Sequence, residues 1–156
     1  MRACRRRCGG SEARGGPDRR YGHVFALGKE TGCVKWHADL GRPLRAHLSL
    51  GEVRGAPAIL IQDAGSRVFA LSGESGDVLW ETDAAINSQS RGTGGIAQLG
   101  DRLFVPLSGR DVSVASDPTY ECCRDRGAIV ALMSPRRWVV AIVTARPAKT
   151  LGTSVK

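Results

Sequence analysis

Apolar residues in this chain come in short runs separated by polar turns, and two of those runs open stretches that are nearly the same. His23 to Trp36 (HVFALGKETGCVKW) and Arg67 to Trp80 (RVFALSGESGDVLW) match at 8 of 14 positions, every match offset by 44. Val24-Phe25-Ala26-Leu27 and Val68-Phe69-Ala70-Leu71 are continuous and short, the pattern of a strand buried on both faces. A polar turn follows each run, with Gly32 or Gly76 placed where a tight turn takes a positive φ. A second short strand then ends in Trp36 or Trp80. Each unit is therefore expected to be a β-hairpin whose Trp packs against the neighbouring unit.

A repeat of this length ending in Trp predicts an all-β fold, a partial β-propeller of two to three blades. One blade cannot bury its own faces, and a seven- or eight-bladed propeller at this period needs several hundred residues. The 156 residues are thus expected to be a piece of a larger array. Between the hairpins, residues 37–54 are polar with a short strand expected near His47-Leu48-Ser49-Leu50, and Ala56 to Ile61 is an apolar strand ended by Gln62-Asp63-Ala64-Gly65. Arg102 to Leu107 is a further strand. Gly127 to Leu132 restarts the repeat, but Ile129 follows Val68 by 61 residues, 17 more than the period. The excess falls in the polar loop 108–126, and insertions on one face of a repeat array tend to carry function.

The third copy is expected to break off. A Trp is due at 141, where Ala141 stands, and Met133-Ser134-Pro135-Arg136-Arg137 departs from the pattern. Three segments follow: residues 1–22, a basic segment that is disordered or foreign to the fold; 23–132, the blades; and 133–156, a disrupted blade or basic tail. A slip of reading frame in the coding sequence would account for both ends.

The net charge of +8 does not alter this picture, because it sits at the ends. Residues 1–20 carry a net +5 and residues 136–156 another +5, whereas 21–135 hold 11 basic and 13 acidic residues, a net −2. No aromatic residue interleaves with a basic stripe, so nucleic-acid binding is not expected. No apolar run approaches the ~18 residues of a membrane span, and no signal-peptide core follows the basic start.

Cys122-Cys123 is the sharpest local feature. Adjacent Cα atoms lie about 3.8 Å apart, below the usual disulfide range, so a bond between the two would close a strained eight-membered ring. Such a ring is rigid and flat and needs an oxidising compartment. Two small residues with free thiols are the other reading of the dipeptide alone. The glycines at 92, 94 and 95 lack the Lys-Ser/Thr of a phosphate loop and predict a turn. His23, His37 and His47 have no ligand spacing, Cys33 stands where the second repeat has Asp77, and Cys4 and Cys8 make at most half a metal site.

The run Tyr120-Glu121-Cys122-Cys123-Arg124-Asp125-Arg126-Gly127, opening a strand of the repeat, resembles the pyrroloquinoline quinone (PQQ)-dependent alcohol dehydrogenases. So do the blades, with Ala26-Leu27, Thr31-Gly32, Trp36 and then Ala70-Leu71, Ser75-Gly76, Trp80. Thr31-Gly32-Cys33-Val34-Lys35-Trp36 and Asp117-Pro118-Thr119-Tyr120-Glu121-Cys122-Cys123 look most like the polyvinyl alcohol dehydrogenase branch. The resemblance spans roughly residues 23–132. It implies a periplasmic quinoprotein that oxidises an alcohol and passes electrons to a cytochrome. It implies that Cys122 and Cys123 form the ring disulfide against PQQ and that Arg126 pairs with the cofactor's oxygens. It also implies a Ca²⁺ that polarises a PQQ carbonyl and an Asp general base, and neither falls on any residue here. The branch carries a c-type haem motif, Cys-x-x-Cys-His, absent from this sequence. The chain is accordingly expected to be inactive alone. The alternative is a non-enzymatic propeller scaffold, since the blade pattern is shared with such proteins.

Overall fold

A computed structural model of the chain describes residues 22–109, 116–119, 127–133 and, as backbone, 138–144. Every regular element among them is a strand: β1 (His23–Leu27), β2 (Val34–Asp39), β3 (Ser49–Val53), β4 (Ala56–Gln62), β5 (Arg67–Ser72), β6 (Val78–Asp83), β7 (Arg91–Gly92), β8 (Ala97–Leu99), β9 (Arg102–Ser108), β10 (Ala128–Met133) and β11 (Trp138–Thr144). They form three antiparallel sheets. The first is the hairpin β1-β2, the second the four-stranded meander β3-β4-β5-β6. In the third, β7 and β8 lie end to end along β9, followed by β10 and β11. The second and third sheets are complete blades, and β1-β2 matches the outer half of one.

The repeat governs the register. In the first two hairpins Leu27 pairs with Val34 and Ala26 with Trp36, and Leu71 with Val78 and Ala70 with Trp80. A one-residue bulge intervenes each time, and the extra residue on the second strand adds local twist. The turns close alike. The Gly28 N–H donates to the Cys33 carbonyl at 2.8 Å and that of Ser72 to the Asp77 carbonyl at 2.8 Å. Gly32 and Gly76 take φ of +66° and +79°, a region open to glycine at no steric cost.

The third hairpin departs from the expectation that the pattern stops after Met133. β11 pairs with β10 in the same register, Leu132 with Val139 and Ala131 with Ala141, with the bulge at the same place. Ala141 occupies the Trp position without breaking the strand, because backbone pairing does not need the side chain.

The Trp residues join the blades, as expected. Trp36 packs on Val24, Ile61, Phe69 and Leu71, so a side chain from the first hairpin rests on β4 and β5 of the next sheet. Its Nε1–H donates to the Gly73 carbonyl at 3.1 Å. Its ring lies so close over Gly76 that a Cβ there would come within 2.5 Å of Cε3. Trp80 packs likewise on the larger cluster of Leu60, Val68, Ala70, Leu103, Val105 and Val130, which joins the second sheet to the third. The inner strands are tied by Gln98, whose Oε1 accepts from Glu52 N–H at 2.8 Å while its Nε2 donates to the Glu52 carbonyl at 3.0 Å.

Burial on both faces holds for β5, where Val68, Phe69, Ala70 and Leu71 are all at most 3% exposed. It does not hold for β1. Val24 is buried, but Phe25 and Leu27 face away from the second sheet and are 54% and 58% exposed. The same apolar run is buried twice only where a blade stands on either side.

Candidate functional site

The meander brings the β2–β3, β4–β5, β6–β7 and β9–β10 connections to one end of the sheets. Backbone bonds hold this end together across the blades. The Ala64 N–H donates to the Pro43 carbonyl at 2.9 Å and the Gly92 N–H to the Ala64 carbonyl at 3.3 Å. The 17-residue excess noted in the sequence therefore opens at this polar end, leaving β9 at Ser108 and returning at Ala128.

Two buried polar residues at the end of β4 anchor the neighbouring loops. Gln62 is fully buried, and its Nε2 donates to the Gly94 carbonyl at 2.6 Å and the Pro106 carbonyl at 3.1 Å. Asp63 is 2% exposed and its Oδ1 accepts from the Arg67 N–H at 2.8 Å. Arg42 Nη1 lies 3.5 Å from the other carboxylate oxygen, so the buried charge is paired from the adjacent connection. Gly92 lets this happen: a Cβ there would strike the Asp63 carbonyl and come within 2.9 Å of Gln62 Oε1. Gly94 admits the Pro106 ring in the same way. The glycines serve close packing between loops and strands; Gly92 belongs to β7, a departure from the expected turn, and Gly94 and Gly95 lie in the connection from β7 to β8. On the β6–β7 connection, Ser90 Oγ accepts from the Ile86 and Asn87 N–H groups, and Arg91 donates to the Ser88 and Ser90 carbonyls.

Within the insertion, Asp117 Oδ1 accepts from the Thr119 hydroxyl at 2.7 Å and the Thr119 N–H at 2.9 Å. These bonds, the hydroxyl first, hold the exposed Asp117 carboxyl below the usual aspartate value by favouring its charged form. A lowered pKa means that the turn's contribution is present above the ordinary aspartate range and fades as pH falls through the lowered value. Thr119→Val removes the stronger donor, and Asp117 is expected to titrate closer to an ordinary aspartate. A carboxyl-carbon NMR titration that shows no upward movement would refute the assignment.

Cys122, Cys123 and Arg126 lie outside the described residues. Cys33 is half-buried in the β1–β2 turn, where its N–H donates to Thr31 Oγ1 at 3.2 Å. One juxtaposition was missed in the sequence. His23 Nδ1 and His37 Nε2 stand 3.0 Å apart across β1 and β2, with Phe25 stacked on His37 at 4.5 Å. The repeat held the clue, since the same places in the second hairpin carry the ion pair of Arg67 with Glu81 at 2.9 Å. Among the described residues no group of three His, Cys, Asp or Glu side chains is placed to hold a metal ion, and no helix is long and apolar enough to cross a membrane.

No family model matches the chain. Blades joined by Trp contacts, with an insertion at one end, define the class as a partial β-propeller, and solved structures agree in fold. A quinohemoprotein alcohol dehydrogenase from Pseudomonas putida HK5 superposes on 80% of this chain and 18% of its own length, with a TM-score of 0.62 at 14% identity. That from Comamonas testosteroni covers 83% of this chain and 19% of its own length, with a TM-score of 0.56 at 15% identity. By sequence, the polyvinylalcohol dehydrogenase of Sphingopyxis sp. (strain 113P3) is 36% identical over 115 residues, 71% of this chain and 18% of the relative. The chain belongs, as a partial chain, to the quinoprotein alcohol dehydrogenase family. It spans about a fifth of the curated relatives it matches.

Proposed function

We propose that this chain supplies part of the cofactor-covering face of a PQQ-dependent alcohol dehydrogenase acting in the periplasm, and that it has no activity alone. The observation that carries this reading is the insertion between β9 and β10. The strand ends that flank it, Ser108 and Ala128, lie where the connections of all three sheets converge, and its sequence contains Cys122-Cys123 and Arg126, in a chain whose curated relatives are polyvinylalcohol dehydrogenases. PQQ, when bound, supplies the two-electron acceptor. The residues of this chain would hold and cover it: a ring disulfide of Cys122 and Cys123 against the plane, and the Arg126 guanidinium on its carboxylate or quinone oxygens. The buried Gln62 and the Arg42–Asp63 pair would brace the neighbouring connections. Among the described residues no group of three His, Cys, Asp or Glu fits a Ca²⁺ cage; in this reading calcium, the base that takes the alcohol's proton, a haem and a cytochrome acceptor belong to other parts of an intact enzyme.

The test is PQQ binding by the whole chain, followed by quenching of Trp fluorescence, with dye-linked alcohol oxidation and a thiol titration in parallel. Expected are saturable binding that falls at least tenfold in Cys122→Ser and Arg126→Ala, no alcohol oxidation with added PQQ and Ca²⁺, and no reaction of Cys122 or Cys123 with a thiol reagent before reduction. Two reactive thiols and no PQQ binding would replace this reading with a cofactor-free scaffold. Turnover by the chain alone would overturn the claim of inactivity.

A further inference from the structure

We infer that His23 and His37 form a two-imidazole site for a divalent transition-metal ion, Cu²⁺ before Zn²⁺, that clips β1 to β2. The inference does not rest on the cofactor reading. The register of the hairpin builds the site. His23 pairs with Asp39 and Phe25 with His37, so the two imidazoles are diagonal neighbours on one face. His23 Nδ1 and His37 Nε2 stand 3.0 Å apart. Phe25 stacks on His37 with the ring planes 17° apart and gives that imidazole an apolar backing.

The spacing selects the metal. Two nitrogens 3.0 Å apart that share one ion at roughly 2.0–2.1 Å subtend an angle of about 95° at it. Adjacent ligands of a square-planar or tetragonal complex meet near this angle, the geometry of Cu²⁺ with nitrogen and oxygen donors, whereas tetrahedral zinc asks for ~109°. Affinity at such donors also places Cu²⁺ above Zn²⁺. In the hydrogen bond between the rings, one nitrogen carries a proton and donates it to the other. The ion takes that proton's place and the donor ring is protonated at its other nitrogen, so two neutral imidazoles stay neutral. Rotation about χ2, a broad torsion in His, turns the lone pairs to a common point. Asp39 Oδ1 lies 3.8 Å from His23 Nδ1 but accepts the Gly41 N–H at 2.9 Å. The carboxylate therefore favours a cation by its charge and is not a third ligand, and water completes the coordination.

The second hairpin shows that these positions form a clip and that they stay open beside a neighbouring blade. At the same places 44 residues on, Arg67 and Glu81 make an ion pair at 2.9 Å. Their side chains are 31% and 50% exposed although the first hairpin packs on that sheet. Access to the site thus follows from its place in the register and not from the open face of β1-β2. The first hairpin has two imidazoles instead, which a cation joins as the opposite charges join theirs.

The experiment titrates the whole chain, its thiols blocked with iodoacetamide, with Cu²⁺. Calorimetry reads the affinity and electron paramagnetic resonance the ligands. One equivalent with a two-imidazole signature is expected, and an affinity that falls at least tenfold in His23→Ala and in His37→Ala but not in His47→Ala. Zn²⁺ is expected to bind at least tenfold more weakly than Cu²⁺. His23→Arg combined with His37→Glu copies the Arg67–Glu81 pair and guards against loss of the fold. That chain is expected to unfold at the parent's urea midpoint without copper and to lose the rise in midpoint that Cu²⁺ gives the parent. Binding that neither histidine affects, or that only one affects, would overturn the site, as would a copper-dependent rise that survives in the Arg–Glu chain. Zinc bound as tightly as copper would overturn the choice of metal.

Discussion

Trp36→Ala is expected to lower the free energy of unfolding by about 3 kcal/mol, read from urea titration of the whole chain. Truncating a large aromatic side chain in a core ranges over roughly 3–5 kcal/mol, and Trp36 falls at the lower end because it is only half-buried. The change strips the cover from Ile61, Phe69 and Leu71 and leaves the Gly73 carbonyl without its indole donor. Amide exchange is expected to quicken through β1 and β2, which lose their hold on the second sheet. Phe25→Ala is the contrast, expected within ~0.5 kcal/mol of the parent because that aromatic is exposed. Two glycines sharpen the test. Gly32→Ala and Gly76→Ala each put a side chain at positive φ, at about 1–2 kcal/mol. Only at Gly76 does the new methyl also strike the Trp36 ring. That excess should vanish when Gly76→Ala is made in the Trp36→Ala background, a non-additivity expected of residues in contact. Equal effects at the two glycines would mean that Trp36 does not hold the seat described.

Gln62→Ala is expected to destabilise the chain by about 3 kcal/mol, through a different mechanism. The side chain is fully buried and donates from one nitrogen to two carbonyls, those of Gly94 and Pro106. Its removal leaves two part-buried acceptors without this donor, each at roughly the lower end of 1–3 kcal/mol, and opens a cavity where the fully buried side chain stood. Gln62→Leu fills the cavity and eliminates Oε1, which has no hydrogen-bond partner among the described residues, but still strands the two carbonyls. It is expected to recover part of the loss and not all of it. A Gln62→Ala chain within 1 kcal/mol of the parent would show that water or a rearranged loop satisfies both carbonyls. In that case the buried amide is not what fixes the Gly92–Gly95 segment.

The repeat made most of the fold legible. Runs such as Val68–Leu71 announce strands locally, because a continuous apolar run bounded by glycine turns suits a short strand better than an amphipathic helix. The Trp contact between blades was also legible, since a hairpin ending in Trp has an apolar side chain that its own two strands cannot bury. The third hairpin was harder to read. Its sequence has Pro135-Arg136-Arg137 where the first two copies have glycine, and Ala141 in place of Trp, so the side-chain pattern disappears while the backbone ladder of β10 and β11 continues. Gln62 and Asp63 looked only like the end of a strand. Their partners lie 32 and 44 residues away for Gln62, and Arg42 comes from the preceding connection, contacts with no local pattern.

The sequence by itself determined most of the strands, their period and the glycine turns of the first two hairpins, because these follow from side-chain type and spacing within one hairpin. Tertiary structure alone decided which copy of an apolar run is buried twice. Phe25 and Phe69 occupy the same place in the same motif, yet one is 54% exposed and the other 3%. The difference is the neighbouring blade, since burial belongs to the packed pair and not to either member. Tertiary structure also decided that Gln62, Asp63 and Gly92 share one polar end with the insertion. Antiparallel meanders return every second connection to the same side, and only the docked blades set those connections against one another.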